Sequence, residues 1–183
     1  ELRAWVLAQL LWDPQLDDRA LIKEFIEGYY GPQAAPHVQD YFKLMREASQ
    51  GYNLTCFSGT DVPFHKFATL ARAEQIWRQA EAAAANQPDY LVRVKLGRLP
   101  LHYVWLSRWT QLRKECQESG AEWPLPASRK AVADAWVAAA KGQPNAAWTK
   151  VSLLNEGGLT PDQFLERFRE DPKEENNQNS KPN

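Results

Sequence analysis

Histidines and cysteines are the side chains that most often hold metals or act as nucleophiles, and their spacing here favours neither role. His37, His65 and His102 lie far apart, and none belongs to an HxxxH or HExxH pattern, so surface or partly buried histidines are expected rather than zinc ligands. Cys56 could act as a nucleophile with His65 as its base, but the residues around Cys56 show no recognised strand–turn–helix pattern that would present such a nucleophile. Cys56 and Cys116 either form one bridge or remain unpaired thiols. With no GxGxxG or P-loop motif, we expect no cofactor and no metal.

Acidic side chains are numerous near the start of the chain, and a glycosidase needs two of them at a fixed separation across the scissile bond. Most of these acids fall on polar helix faces or at caps, where a solvated charge is usual. The acids in question are Asp13, Asp17, Asp18, Glu24, Glu27 and Asp40. No pair stands out, so we predict no catalytic residue and expect the chain by itself to be non-catalytic.

Aromatic rings are the other possible source of function, because sugars stack on them, and the chain has eight Trp and six Tyr. Trp12, Tyr29 and Tyr30 fall at predicted helix ends, which makes them candidates for carbohydrate contact. Packing in the core or at its rim is the competing interpretation and is the commoner use of such rings. Four other tryptophans fit the apolar faces of predicted helices: Trp5, Trp77, Trp105 and Trp136.

Composition indicates which elements must position these side chains. The 183 residues include 24 Ala and 20 Leu, but only 18 Val, Ile and Thr together, which favours helices over a sheet. A net charge of −1 argues against a nucleic-acid partner. No apolar run reaches the ~18 residues of a membrane span, so no membrane partner is expected.

Apolar spacing predicts an all-α bundle of six to seven helices without a strand. Asp13-Pro14 ends the first helix, Asp17 caps the second, and a capping box at Thr160 begins the last. Residues 52–63 are predicted to be a loop. Other helices are expected at about 33–50, 89–119 and 128–141. A further helix is expected after the loop, with apolar residues from Phe67 to Ala84 in register and a break at Asn86-Gln87-Pro88. Pro100 lies inside the long fifth helix, where we expect a kink or a local opening.

Two adjacent tyrosines end the second predicted helix. Tyr29 continues the apolar stripe of Ile22, Phe25 and Ile26, so we expect it in the core. Tyr30 lies about 100° further round the helix, so we expect it to project toward the first helix.

The first helix begins without a capping residue. Leu2, Trp5, Val6 and Leu10 form an apolar stripe directly after Glu1, whereas a native helix start normally carries a side-chain cap. This favours a segment of a longer protein, with signal-peptide removal before Glu1 as the alternative. We expect the apolar face of this helix to be only partly covered by the rest of the chain.

Two strings carry a resemblance to a known family. Residues 10–17 read LLWDPQLD and residues 21–32 read LIKEFIEGYYGP, and residues 80–82 and 93–101 are also similar. Together they resemble the C-terminal helical domain of large bacterial proteins whose barrel is akin to those of α-glucuronidases and β-N-acetylhexosaminidases. The resemblance covers roughly residues 1–110, and the family's catalytic strands would all precede Glu1.

The resemblance implies a domain organisation and a role. Residues 1–12 would be the last helix of a (β/α)8 barrel, or else the first bundle helix, and residues 13–170 the helical domain. The composition of residues 171–183 predicts a disordered polar tail. The implied role is to buttress a glycoside hydrolase barrel outside the cytoplasm, with that barrel, a glycan or a second copy as partner. An independent carbohydrate-binding module and a helical protein-interaction scaffold are the alternatives.

Overall fold

The computed structural model describes residues 1–55, 57–142 and 159–169, and all regular structure within these ranges is helical. The prediction of an all-α bundle is therefore confirmed. The helices are α1 (Leu2–Trp12), α2 (Asp18–Tyr30), α3 (Ala35–Ala48), α4 (Phe67–Ala84), α5 (Pro88–Ser107), α6 (Trp109–Ser119), α7 (Arg129–Lys141) and α8 (Pro161–Leu165). A 3-10 turn, Glu166–Phe168, follows α8.

Local sequence signals set most of the helix ends. The Asp17 carboxylate accepts the backbone N–H of Arg19 at 2.9 Å and caps α2. Gly31 ends α2 with φ +85°, a conformation that an L side chain rarely adopts. Thr160 and Gln163 form the expected capping box at the start of α8.

The prediction of one long fifth helix over 89–119 is wrong in one respect, because this segment forms two helices, α5 and α6. The break lies at Arg108, whereas α5 continues through Pro100. Tertiary contacts hold the break: the Arg108 guanidinium donates to the backbone carbonyl of His65 and lies 3.6 Å from the Glu115 carboxylate. The sequence pattern records helical spacing but not these distant partners.

Helix α4 forms the centre of the bundle and packs against α3 and α5, while α5 packs in turn against α7. Its buried residues are Phe67, Leu70, Ala73, Glu74, Ile76, Trp77, Ala80 and Ala84. The N-terminus of α4 is capped from a distance, since the Glu115 carboxylate accepts the Phe67 N–H at 2.8 Å. Because Glu74 is among the buried residues of α4, a carboxylate lies within the core.

Helix α1 packs chiefly against α2 and has no buried residue. Its main inward contact is the Trp5 ring, whose centroid lies 5.7 Å from that of Phe25. Leu7, Leu11 and Trp12 are 50%, 84% and 91% exposed. The predicted apolar face, formed by Leu2, Trp5, Val6 and Leu10, is partly exposed at every position, so the expectation that it is only partly covered is confirmed.

Some sequence expectations lie outside the described ranges, namely those on Cys56 and on the tail over 171–183. Cys116 is described, and it is a buried free thiol whose Sγ donates to the carbonyl of Ala121 at 3.1 Å. Among the described helices, none has the length and apolar character needed to cross a membrane.

Candidate functional site

The three aromatic candidates do not share one surface. Trp12 is almost fully exposed at the end of α1, and it makes no ring contact with the rest of the described chain. The Tyr29 ring stacks on Phe25 at 5.1 Å, and the Arg93 guanidinium lies 5.1 Å from its centroid. The Tyr30 ring packs instead against the buried Trp77, at 6.1 Å.

The expected orientation of the tyrosine pair is therefore wrong: Tyr30, not Tyr29, packs against the core. A Cβ placed on Gly97 of α5 would lie 2.9 Å from the Tyr30 hydroxyl oxygen, so this ring sits against the α5 backbone. Burial raises the pKa of Tyr30 above its ordinary value. The apolar stripe located the buried face of α2 only to within one residue. The position of α5 determines which of the two tyrosine rings packs against the core.

A polar cluster that the sequence did not reveal lies between α4 and α5. Glu74 is fully buried and forms an ion pair with Arg98 through both carboxylate oxygens. Its Oε2 also lies 3.2 Å from Nε2 of His102, and its Oε1 lies 3.3 Å from Nε of Arg78. Arg98 donates a further hydrogen bond to the Glu81 carboxylate at 2.6 Å. We call these five residues the Glu74 cluster.

The Glu74 cluster keeps its central carboxylate ionised. Burial acts to raise the pKa of Glu74, but hydrogen bonds and charges from His102 and Arg98 outweigh it, and the pKa lies below its ordinary value. Burial of this charge is tolerated because Arg78, Arg98 and His102 all donate to the carboxylate.

His102 is oriented by this carboxylate. Because an ionised carboxylate only accepts hydrogen bonds, Nε2 of His102 carries the hydrogen. The other ring nitrogen, Nδ1, has no hydrogen-bond partner in the part of the chain that the structure describes. This nitrogen is therefore left for a hydrogen bond with a ligand.

A cleft of about 410 Å³ opens beside the cluster, between α5 and α7. Glu81, Lys95, Arg98 and His102 supply its polar side. The facing side, on α7, is mainly apolar and is lined by Ala135, Trp136, Ala138 and Ala139, followed by Gly142. Val92 and Leu99 of α5 complete the lining. Small alanines on α7 leave the space, and we call it the α5–α7 cleft.

Spacing on α5 contains a signal that could have located this site. Lys95, Arg98 and His102 are separated by three and four residues, so they lie on one face of the helix. Glu74 lies within the apolar stripe of α4, between Leu70 and Trp77, where a charge requires a partner. No group of three or more potential metal ligands occurs within residues 1–55, 57–142 and 159–169.

The fold and these surfaces define an all-α domain with an exposed apolar helix at one side and a mixed polar and apolar cleft between two others. Residues 1–43, which cover α1, α2 and part of α3, match the model of a domain of unknown function, DUF4838. No curated protein and no solved structure matches the chain.

Proposed function

We propose that this chain is the non-catalytic C-terminal helical domain of a carbohydrate-active enzyme, and that α1 packs on the catalytic barrel of the same polypeptide. In that position it buttresses the barrel and contributes one wall of the substrate cleft. The parent would be a glycoside hydrolase that acts outside the cytoplasm. The resemblance of residues 10–32 supports the choice of partner, and the exposure of α1 carries the proposal.

The composition of α1 is that of a buried helix. Nine of its eleven residues are apolar, and only Arg3 and Gln9 are polar. A helix that is apolar on all sides normally lies within a protein interior. Here none of its residues is buried, because α2 covers only the side that carries Trp5. A second protein surface that covers Leu7, Leu11 and Trp12 would give this helix its usual environment.

Hydrogen exchange tests this proposal on the longer natural polypeptide and on the 183-residue chain. We expect slow exchange of the α1 amides in the long form and faster exchange in the short form, whereas the α4 amides should be equally protected in both. Equal rates for α1, or a coding sequence that encodes no barrel before Glu1, would overturn the proposal.

A matched pair of variants sharpens the test. Leu11→Gln with Trp12→Gln removes the exposed face of α1, while Phe57→Gln removes another ring that is 93% exposed, in the loop between α3 and α4. In the long polypeptide we expect the α1 variant to lower the melting temperature and to speed exchange in α1. The loop variant should do neither. A similar effect of both variants would contradict docking through α1.

Carbohydrate binding by the chain itself is a second candidate, favoured by the exposure of Trp12. A sugar stacked on this ring should shift its fluorescence, and Trp12→Ala should abolish the shift. Tyr29 and Tyr30, which pack on Phe25 and Trp77, would contribute less. Titration with glucuronic acid and N-acetylglucosamine oligosaccharides gives the answer, and an unchanged spectrum would exclude Trp12 as a sugar-binding residue for them.

A further inference from the structure

We infer that the α5–α7 cleft is a binding site for a small organic carboxylate that has an apolar body and a hydroxyl group near its carboxylate. This inference does not depend on the partner of α1. It rests on the size of the cleft, on its charge and on the free ring nitrogen of His102.

The size and walls of the cleft suit a small molecule with a hydrocarbon part. Its volume of about 410 Å³ lies within the usual range for ligand pockets, which is roughly 300–1,000 Å³. Ala135, Ala138 and Ala139 give it an accessible apolar wall. Leu99 and Trp136 are only 6% and 4% exposed, so they contribute the edges of buried side chains, and a hydrogen bond of 2.9 Å from the indole N–H to the Leu99 carbonyl holds the Trp136 ring in place.

The charge on the polar side favours an anion. Glu74 and Glu81 are both paired with Arg98, and Arg78 adds a second positive charge beside Glu74. Lys95 is exposed at the edge of the cleft and has no ion pair within the described ranges. Its ammonium is thus the charge that remains after the cluster is balanced. Arg98 also keeps two N–H groups beyond the three that bond to Glu74 and Glu81.

His102 adds a polar contact for the ligand. Its Nε2 is committed to Glu74, so Nδ1 is the ring nitrogen that is left for a ligand. A ligand hydroxyl can both donate and accept, so it can bond to Nδ1 whether or not this nitrogen carries a hydrogen, while the carboxylate lies near Lys95 and Arg98. Inorganic phosphate would leave the apolar wall unused, and a neutral hydrocarbon would leave Lys95 unpaired.

Three related probes separate these contributions: 3-phenyllactate, 3-phenylpropionate, which lacks the hydroxyl, and 3-phenylpropionamide, which lacks the charge. Titration of the full 183-residue chain, followed by ¹H–¹⁵N NMR, reports on the indole N–H of Trp136 and on the α5 amides. We expect phenyllactate to bind most tightly and the amide most weakly, with shifts confined to α5 and α7. An absence of shifts there at millimolar probe would overturn the inference.

Variants test the charge of Lys95 and the contact between His102 and the ligand hydroxyl. Lys95→Met should weaken carboxylate binding about two- to fivefold at low salt, the range of an exposed ion pair, and should leave amide binding unchanged. Lys43→Met, an exposed lysine on α3, is the matched control and should have no effect. His102→Gln should remove the preference for phenyllactate over phenylpropionate. Equal binding by the Lys95 and Lys43 variants would refute the assigned anion site even if the probes bind.

Discussion

Two neighbouring tyrosines on α2 have different structural roles. Tyr30 packs on Trp77 in the core, whereas Tyr29 lies between Phe25 and Arg93 nearer the surface. The difference arises because Gly97 on α5 has no side chain, so the backbone of α5 leaves room for the Tyr30 ring. A single residue step on a helix thus decides between core packing and partial exposure.

Truncation of these rings should therefore have unequal effects. We expect Tyr30→Ala to reduce the free energy of unfolding by about 3–5 kcal/mol, as for other core aromatic rings. Tyr29→Ala should cost about 1–2 kcal/mol, because it loses a stacked pair and a cation–π contact. Urea unfolding of both variants measures this, and a larger loss for Tyr29→Ala would contradict the placement of Tyr30 in the core.

Glu74 carries the only side chain that is both charged and fully buried in the described part of the molecule. Glu74→Gln keeps the shape but leaves Arg98 and His102 facing a neutral group, so we expect a loss of roughly 3 kcal/mol at pH 7. Because the folded pKa of Glu74 is below its ordinary value of 4.5, this contribution is complete above pH 4.5 and decreases as pH falls through the folded pKa.

The pH dependence of this stability loss distinguishes a lost charge from a change of shape, because a steric effect would not vary with pH. The stability difference between wild type and Glu74→Gln should shrink as the pH is lowered below about 4.5. Chemical unfolding at pH 7 and pH 3.5 measures both values, and comparison with the variant removes the contribution of other carboxylates. A difference that stays constant would show that the Glu74 charge does not stabilise the fold.

At the scale of helices, two glycines illustrate how packing reverses an intrinsic preference. Alanine is favoured over glycine by about 1 kcal/mol inside a helix. A Cβ added to Gly28 on α2 would meet no heavy atom within 4 Å, whereas on Gly97 this atom would lie 2.7 Å from the Trp77 ring. Since Trp77 is buried and cannot move freely, close packing should outweigh the propensity at Gly97 alone.

We therefore predict opposite signs for the same substitution. Gly28→Ala should raise the free energy of unfolding by up to about 1 kcal/mol. Gly97→Ala should lower it, by up to about 2 kcal/mol after a helix-propensity gain of about 1 kcal/mol is subtracted from an overpacking cost of about 1–3 kcal/mol. Thermal and urea unfolding decide the matter, and stabilisation by both substitutions would show that α4 and α5 do not approach as closely as the structure places them.

At the scale of the whole molecule, α1 contributes little to the bundle. We predict that Leu11→Gln with Trp12→Gln changes the stability of the 183-residue chain by less than about 0.5 kcal/mol per site, as for other surface positions. Trp105→Ala, in contrast, removes a fully buried ring and should cost about 3–5 kcal/mol. If the α1 variant is as destabilising as the core variant, then α1 is covered by the bundle itself.

The fold class and most of the helix ends could be predicted from the amino-acid sequence, because they depend on interactions between near neighbours. The composition indicated helices, Asp17 and Thr160 marked two caps, and the spacing of apolar residues located α2, α3, α4 and α7. The partial exposure of α1 was also expected, because its apolar stripe begins without a capping residue. Each of these features is encoded within one or two turns of the chain.

The other features could not be predicted, because they depend on contacts between residues that are distant in sequence. Glu74 meets Arg98 and His102 only because α4 and α5 pack side by side, and the break at Arg108 is held by His65 and Glu115. The choice between Tyr29 and Tyr30 depends on Gly97 of another helix. The cleft likewise exists only because the small residues of α7 face the charged side of α5, and no local pattern can specify which helices become neighbours.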